Sequence, residues 1–257
     1  MAIVFILILG FVLRLVNLNQ SLWLDETVQA ITSRGTFLGI FSELQGDFHP
    51  PLYHLLMWGW THLFGSGEIA MRLPSVFFGT AAIFMVYKIA QRIFPQKNWL
   101  WLVAALFMAT APFHIYYSQE ARMYAQTTFF AALSTYFFLG LIGKEKGNRA
   151  GYLFSTLLLF YSDYYGLLVF LAQILAALVI FKKDFFKFLF KLWSTFLLIV
   201  VLFLPCLPLL WVQLQTGSQA TFALPQWGRL VNLSFLKALP LTFIKFSLGR
   251  ITIFNKS

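Results

Sequence analysis

The chain has 257 residues, of which 60% are hydrophobic and only 11% are charged, and its mean hydropathy is +0.76. This composition excludes a water-soluble globular domain, because 31 Phe and 8 Trp residues would leave far too much apolar surface in contact with water. The net charge of +10 does not indicate a nucleic-acid partner, because the basic residues lie in short clusters between apolar segments.

Seven apolar segments predict an all-α fold, a polytopic transmembrane helical bundle. They cover about residues 2–18, 74–94, 98–113, 124–142, 152–164, 166–181 and 191–211. No further span is predicted after the last of them, and we expect one transmembrane domain over residues 1–257. The first segment lacks a basic amino-terminal region and a small-x-small cleavage site, so we expect a retained helix rather than a signal peptide.

The charged residues between the segments predict the orientation of the bundle. The basic clusters are Lys88, Arg92 and Lys97, then Lys144, Lys146 and Arg149, then Lys182, Lys183, Lys187 and Lys191. By the positive-inside rule these connections are cytoplasmic. The alternate connections, which carry seven of the nine acidic residues, then face outward. The pattern therefore predicts an integral, multi-pass membrane protein with an acidic extracytoplasmic face.

The stretch from Gly151 to Phe181 predicts two short segments rather than one long helix. A single helix would place Lys182 and Lys183 on the outer side, against the charge rule. We therefore expect the chain to reverse at residues 161–166, although each half is shorter than the usual span of about 20 residues.

The first outer loop, about residues 19–73, is long enough to contain its own helices. His49-Pro50-Pro51 interrupts any helix, because proline removes a backbone donor and restricts the residue before it. The apolar, Trp-rich stretch from Leu52 to Phe64 is too short to span and predicts an interfacial helix. Thr27 to Ser33 is a second candidate of this kind.

Asp25 and Glu26 form an adjacent acidic pair just after the first predicted span. Neighbouring residues on a helix point about 100° apart, so the two carboxylates would naturally divide their roles. A carboxylate in a partly dehydrated pocket suits a general base, because burial raises its pKa. The alternative is a helix cap and a surface charge.

Arg14 and Arg72 are candidate ligands for a lipid phosphate. Both lie at predicted outer helix ends, where an arginine is costly and usually has a partner, and guanidinium binds phosphate through paired hydrogen bonds. Alternatively, the two arginines reach the headgroups or pair structurally with Asp25 and Glu26. The outer turn that contains Glu120 and Arg122 adds two more candidate charges, or caps the following helix with aromatic anchors.

No cofactor is expected from the sequence. His49, His54 and His62 do not have a recognised metal-ligand spacing, so a divalent metal is unsupported. No glycine-rich phosphate loop occurs, which makes a sugar nucleotide a poor candidate donor.

Five motifs in this order resemble the amino-terminal half of a GT-C glycosyltransferase. The chain is similar to family 39 and to the protein O-mannosyltransferases, including bacterial members called PMT-like or ArnT-like. The resemblance rests on Leu13-Arg14-Leu15, Ser21-Leu22-Trp23-Leu24-Asp25-Glu26, His49-Pro50-Pro51-Leu52-Tyr53, Arg72-Leu73-Pro74-Ser75 with Phe78-Gly79, and Ser118-Gln119-Glu120-Ala121-Arg122-Met123-Tyr124.

The resemblance implies an inverting transfer of a hexose, such as mannose, from a polyprenyl-phosphate donor at the extracytoplasmic face of a bacterial plasma membrane. The acceptor would be a hydroxyl of a protein, glycan or lipid. Asp25 would be the catalytic base, and Glu26 would support the acceptor or orient Arg14. Arg72 and Arg14 would hold the carrier phosphate. The resemblance also implies substrate contacts for His49, Tyr53, Glu120 and Arg122.

Two departures from the family pattern leave alternatives open. Relatives usually have about twice this length, so we expect a chain truncated at its carboxyl end. In the ArnT-like branch a lysine typically precedes the proline pair, where this chain has His49, which weakens an assignment to lipid A modification. A non-catalytic fragment and a membrane transporter remain the alternative functions.

Overall fold

The computed structural model describes residues 1–143 and 148–223, with side chains as far as Thr216. Lys144, Glu145 and Lys146 lie outside the described residues, so the second basic cluster is represented there by Arg149 alone. The stretch after residue 223, in which no further span is predicted, lies outside them as well.

Twelve α-helices and three short 3-10 turns form the described part of the chain. The helices are α1 (Ala2–Leu15), α2 (Leu24–Arg34), α3 (Phe37–Glu43), α4 (Leu52–Phe64), α5 (Glu68–Ile93), α6 (Asn98–Thr110), α7 (Pro112–Ser118), α8 (Tyr124–Ile142), α9 (Asn148–Ser162), α10 (Gly166–Phe181), α11 (Phe185–Phe203) and α12 (Leu207–Ala223). The 3-10 turns cover Leu44–Gly46, Lys182–Asp184 and Leu204–Cys206.

The predicted all-α membrane bundle is confirmed. Within the described residues, α5, α8 and the stretch Gly166–Thr216 are long and apolar enough to cross a membrane. The pair α6 and α7 adds a fourth candidate if it counts as one span, bent by 58°. The bend falls at Pro112, whose missing N–H cannot continue the hydrogen bonding of α6. Helix α1 is a shorter apolar helix.

The bundle centre consists of α5, which packs against α1, α6 and α8, while α8 packs against α9. Small residues let these helices approach closely, as is common within membranes. A Cβ atom on Gly151 of α9 would lie only 2.4 Å from the Phe137 ring of α8. A buried polar network adds hydrogen bonds among α8, α9 and α10: Ser134 lies 2.9 Å from Thr156, and Gln173 donates to Ser134 over 3.1 Å.

The stretch Gly166–Thr216 reverses direction rather than continuing as one helix. The rings of Phe170 and Phe196 lie 5.8 Å apart, whereas a straight helix would separate them by roughly 40 Å. The chain turns at Lys182, whose φ of 47° ends α10. Helices α10 and α11 therefore form an antiparallel hairpin.

The reversal predicted at residues 161–166 lies between α9 and α10, where Asp163 stabilises the turn by accepting the Tyr165 N–H over 3.0 Å. The predicted segment 191–211 differs from the structure at both ends. Its helix, α11, begins at Phe185 and ends at Phe203, because Pro205 lies in the 3-10 turn that follows.

Helices occur in the first outer loop at the predicted positions. Helix α4 covers Leu52–Phe64 as predicted, beginning after Pro51 and ending at Gly65, whose φ of 79° suits glycine. The predicted helix over Thr27–Ser33 lies within the longer α2. Helix α3 is absent from the sequence prediction.

Candidate active site

Glu26 is fully buried at the first turn of α2, where it connects three parts of the chain. Its Oε1 accepts hydrogen bonds from Arg72 Nε over 2.9 Å and from the Ala121 N–H over 2.8 Å. Its Oε2 accepts from Arg72 Nη2 over 2.5 Å and from the Trp23 N–H over 3.3 Å. Glu26 therefore holds α2 against α5 and against the turn before α8.

Arg72, on α5, also binds the segment that leads into α2. Its Nη1 donates to the carbonyl oxygens of Leu18 and Gln20 over 2.7 and 2.6 Å, and its Nη2 donates to Ser21 over 3.3 Å. Together with the two bonds to Glu26, these contacts occupy the guanidinium with groups of the protein. The predicted role of Arg72 in phosphate binding stays a prediction.

Arg14 is fully buried and points toward the bend between α6 and α7. Its guanidinium donates to the carbonyl oxygens of Gly10, Ala109 and Met108 and to His114 Nδ1, the last over 2.5 Å. As a correction to the predicted contact, Glu26 pairs with Arg72 rather than with Arg14. The phosphate-binding role of Arg14 stays a prediction as well.

The glycine of the Phe78-Gly79 motif allows α7 to pack against α5 beside Arg14. A Cβ atom on Gly79 would lie 2.2 Å from Ser118 Oγ and 3.1 Å from Arg14 Nε. Ser118 is itself fixed by donating to the His114 carbonyl over 2.6 Å. Any larger residue at position 79 would therefore displace the turn that follows α7.

Asp25 lies beside Glu26 but in a different environment. It is only partly buried, and among the described residues no hydrogen-bond or ion-pair partner of its carboxylate is found. An electrostatic interaction of Asp25 with His49 is recorded. The adjacent acids are thus separated by the helix into one buried carboxylate and one accessible carboxylate.

His49 lies between opposite charges in the segment just before α4. Its Nε2 is 4.0 Å from Asp47 Oδ1, while His54 Nε2 lies 3.1 Å from Asp47 Oδ2. Burial lowers the pKa of His49 to about 4, with Arg122 lowering it further and with Asp47 and Asp25 opposing. His49 is therefore neutral at physiological pH.

Asp47 stays ionised in this cluster. Burial raises its pKa, but the hydrogen bond from His54 and the nearby histidines outweigh that effect and bring the pKa to about 2. The carboxylate therefore supplies a fixed negative charge beside the two histidines.

Arg122 is buried in the turn before α8, where it forms a side-chain hydrogen bond with Tyr124. Its Nε is a buried atom without a hydrogen-bond partner, and no ion pair of Arg122 is found with the described residues. His49, Tyr53 and Tyr124 all lie within its electrostatic reach. A buried guanidinium in this state favours an anionic partner, because an uncompensated buried charge is costly.

Tyr53 supports the backbone of that turn from α4. Its hydroxyl lies 3.1 Å from Ser75 Oγ, and Ser75 donates in turn to the Arg122 carbonyl over 3.1 Å. Burial raises the pKa of Tyr53 above its usual value, although Ser75 and Arg122 oppose the shift. The ring itself lies in a core cluster with Met57, Met71 and Ala121, so Tyr53 links α4 to the site as a neutral phenol.

A cleft of about 670 Å³ opens where α1 ends and α2 begins. Its lining includes Trp23, the Glu26–Arg72 pair and Glu120, together with Gln119. Asp25 is not among the lining residues of this cleft. Gln119 fixes one wall by donating to the Val16 carbonyl over 2.7 Å.

Two residues of the site, Gln213 and His114, escape the sequence analysis. Gln213, on α12, donates to the carbonyl oxygens of Leu44 and His49 over 2.7 and 3.0 Å, and accepts from the Tyr164 hydroxyl over 2.7 Å. A glutamine at the polar end of an apolar segment gives no signal of this contact across more than 160 residues. His114 is equally inconspicuous, since its partner Arg14 is 100 residues away.

The predicted site residues thus fall into two groups. Glu26, Arg72 and Glu120 line the cleft, while Asp25, His49, Tyr53 and Arg122 are linked by electrostatic interactions. Arg14 contacts α6 and α7 instead. Across the part of the chain that the structure describes, no group of three His, Cys, Asp or Glu residues has a geometry that could hold a metal ion.

A family model described as dolichyl-phosphate-mannose-protein mannosyltransferase matches residues 48–211, which is more than half of the chain. The chain belongs to this family. The predicted resemblance is therefore confirmed, and membership implies glycosyltransferase activity with a polyprenyl-phosphate sugar donor in a multi-pass membrane protein. No curated protein matches the chain. The matched range contains His49, Tyr53, Arg72, Glu120 and Arg122, and it begins after Arg14, Asp25 and Glu26.

Proposed function

We propose that the chain transfers a hexose from a polyprenyl-phosphate donor to an acceptor hydroxyl, with inversion at the sugar and with Asp25 as the general base. Mannose is the sugar that the family description names, and a protein is the acceptor that it names. The charge pattern of the sequence supports the extracytoplasmic face as the side of transfer. A bacterial plasma membrane is the proposed place of the reaction.

The observation that carries this proposal is the division of the acidic pair. Glu26 is fully buried and accepts four hydrogen bonds from Arg72, Ala121 and Trp23, so it has no capacity left for a proton. Asp25, next to it, is partly exposed and accepts none from the described residues. A base must reach the acceptor hydroxyl at hydrogen-bond distance, and Asp25 is the member of the pair that a substrate can approach.

Arg122 is the proposed ligand of the donor phosphate. Arg72 pairs with Glu26, and Arg14 donates to three carbonyl oxygens and to His114, whereas the recorded side-chain partner of Arg122 among the described residues is the Tyr124 hydroxyl. A phosphate would supply the missing negative charge and accept paired hydrogen bonds from the guanidinium. This assignment moves the phosphate from the two arginines that the sequence analysis favoured to the one near Asp25 and His49.

The proposed reaction is a single displacement. Asp25 accepts the proton of the acceptor hydroxyl while the oxygen of that hydroxyl attacks the anomeric carbon of the sugar. The bond from that carbon to the phosphate oxygen breaks, and polyprenyl phosphate leaves with the electron pair. Arg122 stabilises the negative charge that develops on the leaving phosphate, where a fixed cation is most effective in a dehydrated site.

Neutral His49 fits a supporting role in this arrangement. Asp47 is ionised and His49 is uncharged, so these two residues add no positive charge beside Arg122. We therefore propose that His49 acts as a hydrogen-bond partner of the substrate rather than as a second cation. Glu120, which lines the cleft beside the Glu26–Arg72 pair, is proposed to contact the substrate.

The donor class can be tested with the purified chain in proteoliposomes. We expect transfer of labelled mannose from polyprenyl-phosphate mannose to an acceptor peptide, with an inverted linkage in the product, and none from a mannose nucleotide. Retention of configuration would contradict the single displacement. Binding of the lipid donor without any transfer would favour the non-catalytic alternative.

A further inference from the structure

The turn between α10 and α11 lies at the opposite end of the bundle from Asp25. The turn between α9 and α10 is on the site side, because Tyr164 there bonds Gln213, which bonds the His49 carbonyl. From that turn α10 runs through 16 residues, about 24 Å, before reaching Lys182. This distance is most of the hydrocarbon thickness of a bilayer.

Beside this turn, an apolar groove of about 810 Å³ runs along the surface of α11, which supplies all of its lining residues. Phe186, Phe190 and Trp193 are exposed at helical spacing and present a continuous aromatic stripe. Leu189 and Phe196 complete the apolar lining. The opposite face of α11, through Phe185, Leu192 and Ile199, is buried against the bundle, so the stripe points away from the protein.

Lysines surround the groove at its turn end. Lys187 and Lys191 line it one helical turn apart, and Lys182 and Lys183 precede them in the connecting turn. Among the described residues the only carboxylate paired with these four lysines is Asp184, which lies 2.8 Å from Lys187 on the exposed surface. The groove thus combines an apolar wall with an excess of positive charge at one end.

We propose that this groove binds one anionic phospholipid in the leaflet opposite to the transfer site. An acyl chain packs along Phe186, Phe190 and Trp193, and the headgroup phosphate lies between Lys187 and Lys191. Lysine side chains extend toward the headgroups while their stems cover apolar surface. Each lysine near an anionic membrane surface contributes about 1 kcal/mol of attraction, so the charge of the headgroup decides the preference.

The test measures lipid binding by the purified chain in detergent with phosphatidylglycerol and with phosphatidylcholine as probes, by native mass spectrometry. We expect tighter binding of phosphatidylglycerol, and a loss of about fivefold in that affinity for Lys191→Gln. The matched control is Lys97→Gln, which removes the same charge from the exposed turn between α5 and α6, outside the residues that line the groove. This control is expected to leave the affinity unchanged.

A second variant tests the apolar wall. Phe190→Ala removes an exposed ring, so it leaves the core of the bundle intact. We expect it to lower the affinity for both lipids while the ratio of the two affinities stays the same. Soluble glycerol phosphate should not displace the phospholipid, because it lacks the acyl chain that contacts the apolar wall of the groove. Equal affinity for the two lipids, an effect of Lys97→Gln as large as that of Lys191→Gln, or full competition by glycerol phosphate would overturn the proposal.

Discussion

Two adjacent residues, Asp25 and Glu26, carry the same charge and have opposite surroundings. The start of α2 rotates Glu26 into the bundle, where Arg72 and two backbone N–H groups compensate its charge. The same rotation leaves Asp25 partly exposed. Helix geometry therefore separates a buried, paired carboxylate from a more accessible one.

The Glu26–Arg72 pair is expected to stabilise the fold. Arg72→Ala should lower the free energy of unfolding by about 3–5 kcal/mol, because it leaves the Glu26 carboxylate buried without its counter-charge. Thermal unfolding in detergent measures this effect. The double variant Glu26→Gln/Arg72→Met should lose less stability than the two single variants summed, since neither charge is then left alone. An unchanged unfolding temperature in Arg72→Ala, together with lost donor binding, would instead identify Arg72 as the phosphate ligand.

Arg122 is expected to affect donor binding more than stability. Arg122→Gln should weaken the affinity for polyprenyl phosphate about 10- to 100-fold, because a charge-assisted hydrogen bond contributes about 1.5–3 kcal/mol. Equilibrium binding of a fluorescent polyprenyl phosphate measures this change. Arg34→Gln, at the exposed end of α2, is the matched control. Equal affinities of the Arg122→Gln and Arg34→Gln variants would contradict the assignment.

His49 makes the fold sensitive to mild acid. Its pKa is about 4 in the folded chain, below the ordinary value of 6.5, so below about pH 6.5 the unfolded chain binds a proton that the folded chain does not. Stability should therefore fall as the pH decreases from 6.5 toward 4. The loss should be smaller in His49→Gln, as measured by unfolding temperature against pH. An unfolding temperature of the parent chain that is constant over this range would show that His49 is not buried as described.

At the scale of elements, α12 determines how the first outer loop is held. Gln213 binds the carbonyl oxygens of Leu44 and His49, and Thr216 donates to the Gln45 carbonyl over 3.2 Å. These contacts connect a helix near the end of the described chain to the loop that precedes α4. The position of His49 beside Asp25 thus depends on a distant helix.

Removal of the Gln213 side-chain amide should expose His49. Gln213→Leu keeps the apolar body of the residue but loses the bonds to Leu44 and His49, so diethyl pyrocarbonate should modify His49 faster than in the parent chain. His62, exposed on α4, provides the internal reference in the same mass-spectrometric digest. If the ratio of His49 to His62 modification is unchanged, α12 does not hold the loop in place.

The elements themselves are largely predictable from the sequence. Hydrophobic segment length and the proline pair are local signals, and they give α4, α8 and α10 at their observed bounds. Helix α3 and the break after Phe203 are harder to predict from the sequence. A seven-residue helix carries little periodicity, and Pro205 lies within an otherwise apolar run.

The candidate site is predictable only in part. The motifs identify Asp25, Glu26, Arg72 and Arg122 as a set, but long-range pairing decides which arginine is neutralised. Glu26 could pair with Arg14 or Arg72 on sequence alone; packing decides it, because Arg14 enters the bend at Ala109 and His114. Such contacts connect positions about 100 residues apart and leave no local pattern.

At the scale of the whole molecule, the proposed transfer site and the proposed lipid groove lie at opposite ends of the bundle. Asp25, His49 and Arg122 lie near where α2, α4 and the turn before α8 meet, whereas four lysines lie at or just after the α10–α11 turn. The family match accounts for the donor class, and the buried network around Glu26 accounts for how the site is held. The central claim is that Asp25 performs the proton transfer.

Transfer by Asp25→Asn in proteoliposomes tests that claim most directly. The substitution keeps the shape of the side chain and removes its basicity, so transfer from polyprenyl-phosphate mannose should fall by at least about 100-fold, while donor affinity and unfolding temperature stay unchanged. Glu43→Gln, which neutralises an exposed carboxylate of the same loop, should keep the parent rate. Transfer by Asp25→Asn at the rate of Glu43→Gln would contradict the account.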